Sequence, residues 1–167
     1  LKHNGMWDAA RGRNLLDGGA PFYGCYVCAD GAYIAIGAVE TKFFSRLLET
    51  LGLADDPLFA EQYDPSKWSA MKARLAEIFA TVPRAEWTAR LQHRDCCYSE
   101  VLTMEEALTQ DHNLARGSYL EDGGCVQPRP APRFVGTESV TPTMWRRDSD
   151  RRAILREIGM DAAADTR

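Results

Sequence analysis

No stretch of this 167-residue sequence approaches the roughly 18–20 apolar residues that a membrane-spanning helix requires. Basic residues are not in excess. Against 24 Asp and Glu stand 20 Lys and Arg, a net charge of −4, which argues against a nucleic-acid or anionic-membrane binder. The chain holds no G-x-S-x-G, no phosphate loop and no G-x-G-x-x-G, so the commonest hydrolase, phosphate and dinucleotide signatures are excluded. It has no internal repeat, and its three histidines, His3, His93 and His112, are scattered. With 45% apolar and 26% charged residues it is one domain's worth of sequence, long enough for a real core. An odd count of five cysteines and no signal-peptide pattern in the first residues give reduced thiols and a cytoplasmic location as the expectation.

The opening residues 1–10 read as a helix end whose large apolar members, Met6 and Trp7, lack an amphipathic partner face. We read the start as a cut inside a longer polypeptide. Residues 11–21 are turn-rich through Asp17-Gly18-Gly19-Ala20-Pro21. Two strand-like runs, 22–28 and 33–36, flank Asp30-Gly31 and predict a β-hairpin. Phe43, Phe44, Leu47, Leu48 and Leu51 then follow helical spacing, with Gly52 as the stop. After a linker-like stretch at 55–63, Asp64-Pro65 predicts the start of a helix with Trp68, Met71, Leu75, Ile78 and Phe79 on its buried stripe. Pro83 restarts a shorter helix carrying Trp87 and Leu91, and 96–102 reads as a strand. Thr103-Met104-Glu105-Glu106 is a capping-box pattern. A second hairpin is expected around Asp122-Gly123-Gly124, then a proline-rich stretch from Pro128 to Pro142 and a last helix over 151–158. The fold class is α+β, with short antiparallel strands and several helices. It divides into a turn-rich loop segment (1–21), a small α+β domain (22–127), and a proline-rich extension with a C-terminal helix (128–167).

Cys25-Tyr26-Val27-Cys28 is a C-x-x-C, but no second pair follows at zinc-finger spacing. On a strand, residues three apart point to opposite faces, so two packed, reduced thiols are the favoured reading and no metal is expected. Asp111-His112-Asn113 places a histidine beside a carboxylate, yet a polar loop closing a short helix explains it better. Glu40 follows Ile36-Gly37-Ala38-Val39 at the start of a helix, where backbone N–H groups and the helix dipole favour its charge. Position alone leaves it open between a helix-start acid and a functional carboxylate.

The run Gly12-Arg13-Asn14-Leu15-Leu16-Asp17-Gly18-Gly19-Ala20-Pro21-Phe22-Tyr23 resembles the α-methylacyl-CoA racemase branch of the type III CoA-transferases. The likeness continues through Ala29-Asp30-Gly31, Gly37-Ala38-Val39-Glu40, Leu51-Gly52-Leu53, Glu86-Trp87, His112-Asn113 and Gln127-Pro128-Arg129-Pro130-Ala131-Pro132. It spans nearly the whole chain in order, but matches only the C-terminal half of such proteins. One departure is Glu100, which stands where the family carries a proline before the Val-Leu pair.

What the resemblance implies is a small domain that closes a site built largely by a missing N-terminal large domain, in an interlocked homodimer. The reaction implied is epimerisation of 2-methyl-branched acyl-CoA through an enolate, with the acyl-CoA thioester as substrate and no further cofactor. Glu40 matches the site carboxylate that pairs with the family's catalytic His. Substrate-binding roles fall on Leu16, Asp17, Gly18, Tyr23 and Val39, with Leu16 and Tyr23 at positions lining the acyl pocket. No residue of this chain matches the catalytic His or Asp, so little or no activity is expected of it alone. Two other functions are carried beside this one: a non-catalytic binding or assembly module, and part of a type III CoA-transferase. Neither a nucleic-acid nor a membrane partner is expected.

Overall fold

A computed structural model of the chain describes residues 2–5, 7–137 and 147–160. It resolves into two compact units, Leu1–Leu102 and Thr103–Arg167.

The first unit is built on a three-stranded antiparallel sheet in the order β1 (Tyr23–Val27), β2 (Tyr33–Gly37), β3 (Tyr98–Val101). The expected hairpin forms because Gly31 adopts φ 79° while Asp30 Oδ1 accepts the Ala32 N–H at 3.1 Å. Strand alternation sends Tyr26, Ile34 and Ile36 into the core and leaves Tyr23, Val27, Tyr33 and Val101 exposed. It also separates the C-x-x-C thiols: Cys25 is exposed and Cys28 buried, and all five cysteines are unpaired. No group of three or more metal-ligating side chains occurs among the described residues.

Three helices cover the inner face. Helix α1 (Thr41–Leu51) buries Phe44, Leu47 and Leu48 and ends at Gly52, whose φ of 71° lets Leu53 N–H reach the Leu48 carbonyl at 2.8 Å. Helix α2 (Trp68–Phe79) buries Trp68, Met71, Leu75 and Phe79, and α3 (Arg84–Leu91) buries Trp87 and Leu91. Phe22, fully buried, meets Phe44, Tyr63 and Trp68 edge-on at centroid distances of 5.3, 5.8 and 5.9 Å.

Two expectations for this unit are corrected. The first is the helix start at Asp64-Pro65. Asp64 Oδ1 instead accepts from the Ser66 N–H (3.0 Å) and hydroxyl (2.7 Å), and the turn opens with i→i+3 bonds, so α2 begins only at Trp68. The second is the helix end over 1–10. Only Lys2–Asn4 forms a short 3₁₀ turn, because the backbone at Asp8 is tied on both sides to the Asn14 side chain (2.7 and 3.0 Å). Met6 lies outside the described residues.

The second unit holds α4 (Met104–Thr109), α5 (Asp111–Arg116), the hairpin β4 (Tyr119–Asp122) and β5 (Cys125–Pro128), and α6 (Arg147–Glu157). The capping box forms as expected, with both Thr103 and Glu106 engaged. The polar segment around His112 is helical rather than a loop, since Gln110 Oε1 caps Asn113 N–H at 3.0 Å and Gly117 ends the turn at φ 54°. The last helix starts four residues earlier than its apolar positions suggest. Pro142 and its neighbours fall outside the described residues. No described residue of this unit is buried, and no described helix is long and apolar enough to cross a membrane.

Candidate functional site

Strand β2 ends at Gly37, whose N–H donates to the Cys97 carbonyl at 2.9 Å. The chain then turns sharply, with Val39 N–H bonded to the Gly37 carbonyl at 2.8 Å, and delivers Glu40 as the N-cap of α1. Glu40 has extended backbone (φ −74°, ψ 138°), and its carbonyl accepts from Phe43 and Phe44 N–H at 3.0 and 3.1 Å. Its side chain caps nothing. The carboxylate is exposed and makes no hydrogen bond or ion pair among the described residues. An acid at a helix start that is not spent on the cap is held by the dipole and left free to meet another group.

The peptide ahead of Glu40 is held firmly. Gln62 Nε2 donates to the Ala38 and Val39 carbonyls at 3.2 and 2.8 Å, and Tyr63 hydroxyl donates to the Val39 carbonyl at 2.7 Å. Gln62 is 6% exposed, and its Oε1 has no partner among the described residues. A buried unpaired acceptor costs about 1–3 kcal/mol. Trp68 Nε1 donates to the Gln62 carbonyl at 2.9 Å and fixes the loop from behind. Gln62 and Tyr63 lie in the linker-like stretch 55–63 and carry no signal in the sequence, because a bond from a loop side chain to a distant carbonyl leaves no periodic trace.

Cys97 borders the same turn in a left-handed conformation, φ 53°. Partial burial pushes its thiol up, the charge of Glu40 adds to this, and Lys42 opposes it. Tyr23, first in β1, pairs directly with Gly37, so it stands exposed on the sheet beside the chain leading to Val39 and Glu40.

Leu16, Asp17 and Gly18 lie on the loop preceding β1. The Asp17 carboxylate accepts from Asn14 Nδ2 (2.7 Å) and from the N–H groups of Asn14 (2.8 Å), Gly12 (3.1 Å) and Gly19 (3.2 Å). These bonds, the Asn14 side chain foremost, hold its carboxyl below the usual range. Asp17 is therefore occupied in shaping the loop, while Leu16 is left 47% exposed on it. Gly18 has φ 88°, and its carbonyl accepts from Lys72 Nζ. A groove of about 850 Å³ opens beside this loop, between Trp7, Arg13, Asn14, Trp68 and Lys72, but none of Leu16, Asp17, Gly18, Tyr23, Val39 or Glu40 lines it.

A pH dependence follows from Asp17. Its folded form binds fewer protons than the unfolded chain, so the loop's stabilisation is complete above the ordinary carboxyl value of about 4 and is lost as pH falls below it. Urea midpoints from about pH 6 to about pH 2.5 are expected to show a shallower acid slope in Asp17→Asn than in the parent. Equal slopes would mean the carboxylate contributes nothing.

The sequence profile of CoA-transferase family III matches residues 3–148. Alpha-methylacyl-CoA racemase of Homo sapiens is 43% identical over 136 residues, 81% of this chain and 35% of the relative. The Mus musculus racemase is 44% identical over 137 residues, again 81% of this chain and 36% of the relative. A CaiB/baiF CoA-transferase family protein of Caenorhabditis elegans is 28% identical over 119 residues. The crystal structure of the Mycobacterium tuberculosis protein Rv3272 shares the fold at TM-score 0.59 and 24% identity, over 69% of this chain and 33% of that one. The chain thus spans about a third of the length of the curated relatives it matches.

Proposed function

The chain belongs to CoA-transferase family III, and from that premise we propose that it supplies the small-domain side of a site that epimerises 2-methyl-branched acyl-CoA thioesters. The observation that carries this reading is the unspent Glu40 carboxylate at the start of α1, within a chain matched over 81% of its length by two racemases. Inverting the α-carbon of a thioester requires a base on each face and support for the enolate between them. Glu40 accepts the N–H of a catalytic histidine brought by another part of the enzyme. It thereby orients that imidazole and raises its basicity, as the third member of a hydrolase triad does. Leu16, Tyr23 and Val39 present apolar surface to the acyl group, and Asp17 and Gly18 shape the loop that presents Leu16. The acyl-CoA is the substrate, no other cofactor takes part, and the enzyme works in the cytoplasm with its thiols reduced. The chain alone is inactive, since one carboxylate does not serve both faces. Its partner is a large domain of the same family within a homodimer.

Deuterium incorporation at C2 of a 2-methylacyl-CoA in D₂O tests this in two settings: the chain alone, and the chain substituted for the matched segment of the human relative. No exchange is expected from the first and measurable exchange from the second, falling about 100-fold or more with Glu40→Gln. Exchange by the chain alone, or a hybrid indifferent to Glu40→Gln, overturns the proposal.

A second reading, a non-catalytic assembly module, is favoured by one observation. The outer sheet face formed by Tyr23, Cys25, Val27, Tyr33, Ala35, Ser99 and Val101 carries no charge, and four of these are large and exposed. Sedimentation of the chain as a monomer at all concentrations would count against it.

A further inference from the structure

We propose that Gln62 and Tyr63 are positioning residues for Glu40: together they clamp the Val39 carbonyl and so aim the carboxylate that follows it. This rests on the reading of Glu40 given above and adds two residues to it. The clamp is long-range, reaching from the loop before α2 to the turn between β2 and α1, and both donors converge on one carbonyl at 2.8 and 2.7 Å. Gln62 spends its remaining amide reach on the Ala38 carbonyl at 3.2 Å, so the two peptides preceding Glu40 are fixed by the same group.

Three features give the clamp a purpose beyond packing. The Gln62 amide is buried with its oxygen unpartnered among the described residues, so what it contributes to the fold is its N–H bonds; an apolar side chain of equal size would fill the space without a buried acceptor. Tyr63 is half exposed, at 52%, yet its hydroxyl is tied to the backbone and its ring stands edge-on to Phe22, which immediately precedes Tyr23. The Glu40 side chain makes no cap, hydrogen bond or ion pair among the described residues, so the direction in which it leaves the backbone rests on the peptides flanking it: the one before, fixed by Gln62 and Tyr63, and the one after, fixed by the Phe43 and Phe44 N–H groups of α1. Neither side chain reaches the reacting atoms in this role. They act through Glu40 by keeping the carboxylate within the narrow range of positions in which it orients an imidazole.

The test uses Tyr63→Phe, which keeps the ring and its contact with Phe22, and Gln62→Met, which keeps the volume and removes both donors. In the chain itself, NMR is expected to show the Val39 carbonyl and Glu40 amide resonances moving in each variant, while those of α3 and β3 stay in place. In the hybrid enzyme, kcat for α-proton exchange is expected to fall about 10- to 100-fold and KM to change far less, because the Val39 side chain that meets the acyl group is kept while the aim of Glu40 is lost. Should Gln62→Met fail to fold, Tyr63→Phe carries the test alone. Unmoved Val39 and Glu40 resonances overturn the clamp. Moved resonances with full exchange activity, in a hybrid that Glu40→Gln disables, overturn the positioning role while leaving the reading of Glu40 intact. A hybrid that ignores Glu40→Gln overturns both, and the NMR result then shows whether the clamp still exists as structure.

Discussion

Phe79→Ala is expected to cost the first unit about 3–5 kcal/mol, the range for deleting a large ring from a well-packed core. Phe79 is fully buried at the end of α2, with the Tyr26 ring 5.0 Å away, tilted at 43°, and the Trp87 ring 5.2 Å away, edge-on at 77°. Its carbonyl also accepts the Trp87 indole N–H at 2.9 Å, so the ring and its backbone join the sheet, α2 and α3 at one point. The three aromatic residues sit on different elements, none of which can close the gap alone. Collapse into the cavity is therefore small and the cost falls toward the upper end. Set against a total stability of about 5–15 kcal/mol, this is a large share. A urea titration is expected to show the midpoint falling with little change in slope, and a thermal scan a drop of about 12 °C or more. A loss under about 1 kcal/mol would show that the neighbouring rings refill the space.

Gly19→Ala is the second large effect, and its cause is steric. A Cβ at Gly19 would lie 2.6 Å from both the Arg13 carbonyl carbon and the Asn14 carbonyl oxygen, and 2.7 Å from the Asn14 nitrogen. All three are backbone atoms, so no side chain can swing aside. The loop must open, and with it go the Gly19 N–H bonds to Asn14 O (3.2 Å) and Asp17 Oδ1 (3.2 Å). We expect a destabilisation of about 3 kcal/mol, at the top of the usual range for overpacking. Displaced amide resonances throughout Gly12–Tyr23 should accompany it. Gly24→Ala is the control: its Cβ would meet nothing within 4 Å, so a change within about 0.5 kcal/mol is expected. Parity between the two variants would show that the loop is not packed as described.

Local rules made much of the first unit readable from sequence. Asp30-Gly31 between two β-rich runs specified the hairpin, and the spacing of Phe44, Leu47 and Leu48 with Gly52 behind them specified α1 and its end. The opposed faces of Cys25 and Cys28 followed from strand geometry alone. What sequence could not show is which of several competing bonds a side chain makes, nearby or far along the chain. The tie from Asn14 to Asp8 abolishes the helix expected near the start, and the Ser66 contacts of Asp64, made in place of a helix cap, postpone the next one. At the site, the place of Glu40 at a helix start was legible from Gly37-Ala38-Val39-Glu40 following a strand. That its side chain caps nothing, and that Gln62 and Tyr63 fix the peptide ahead of it, depends on residues more than twenty positions away. Such contacts have no period and no motif.

The uncapped start of α1 also bears on how this chain could be improved by selection or design. Glutamate is a poor N-cap, and serine, threonine, asparagine or aspartate at such a position stabilises a helix by about 1 kcal/mol. A library screened on melting temperature alone would therefore enrich replacements at position 40 early; serine, threonine and asparagine would remove the carboxylate, and aspartate would shorten its reach and commit it to the cap. Heat resistance and the proposed chemistry compete for one residue. Thermal tolerance in variants of this chain is thus a misleading proxy for a working protein, and any such screen needs position 40 held constant.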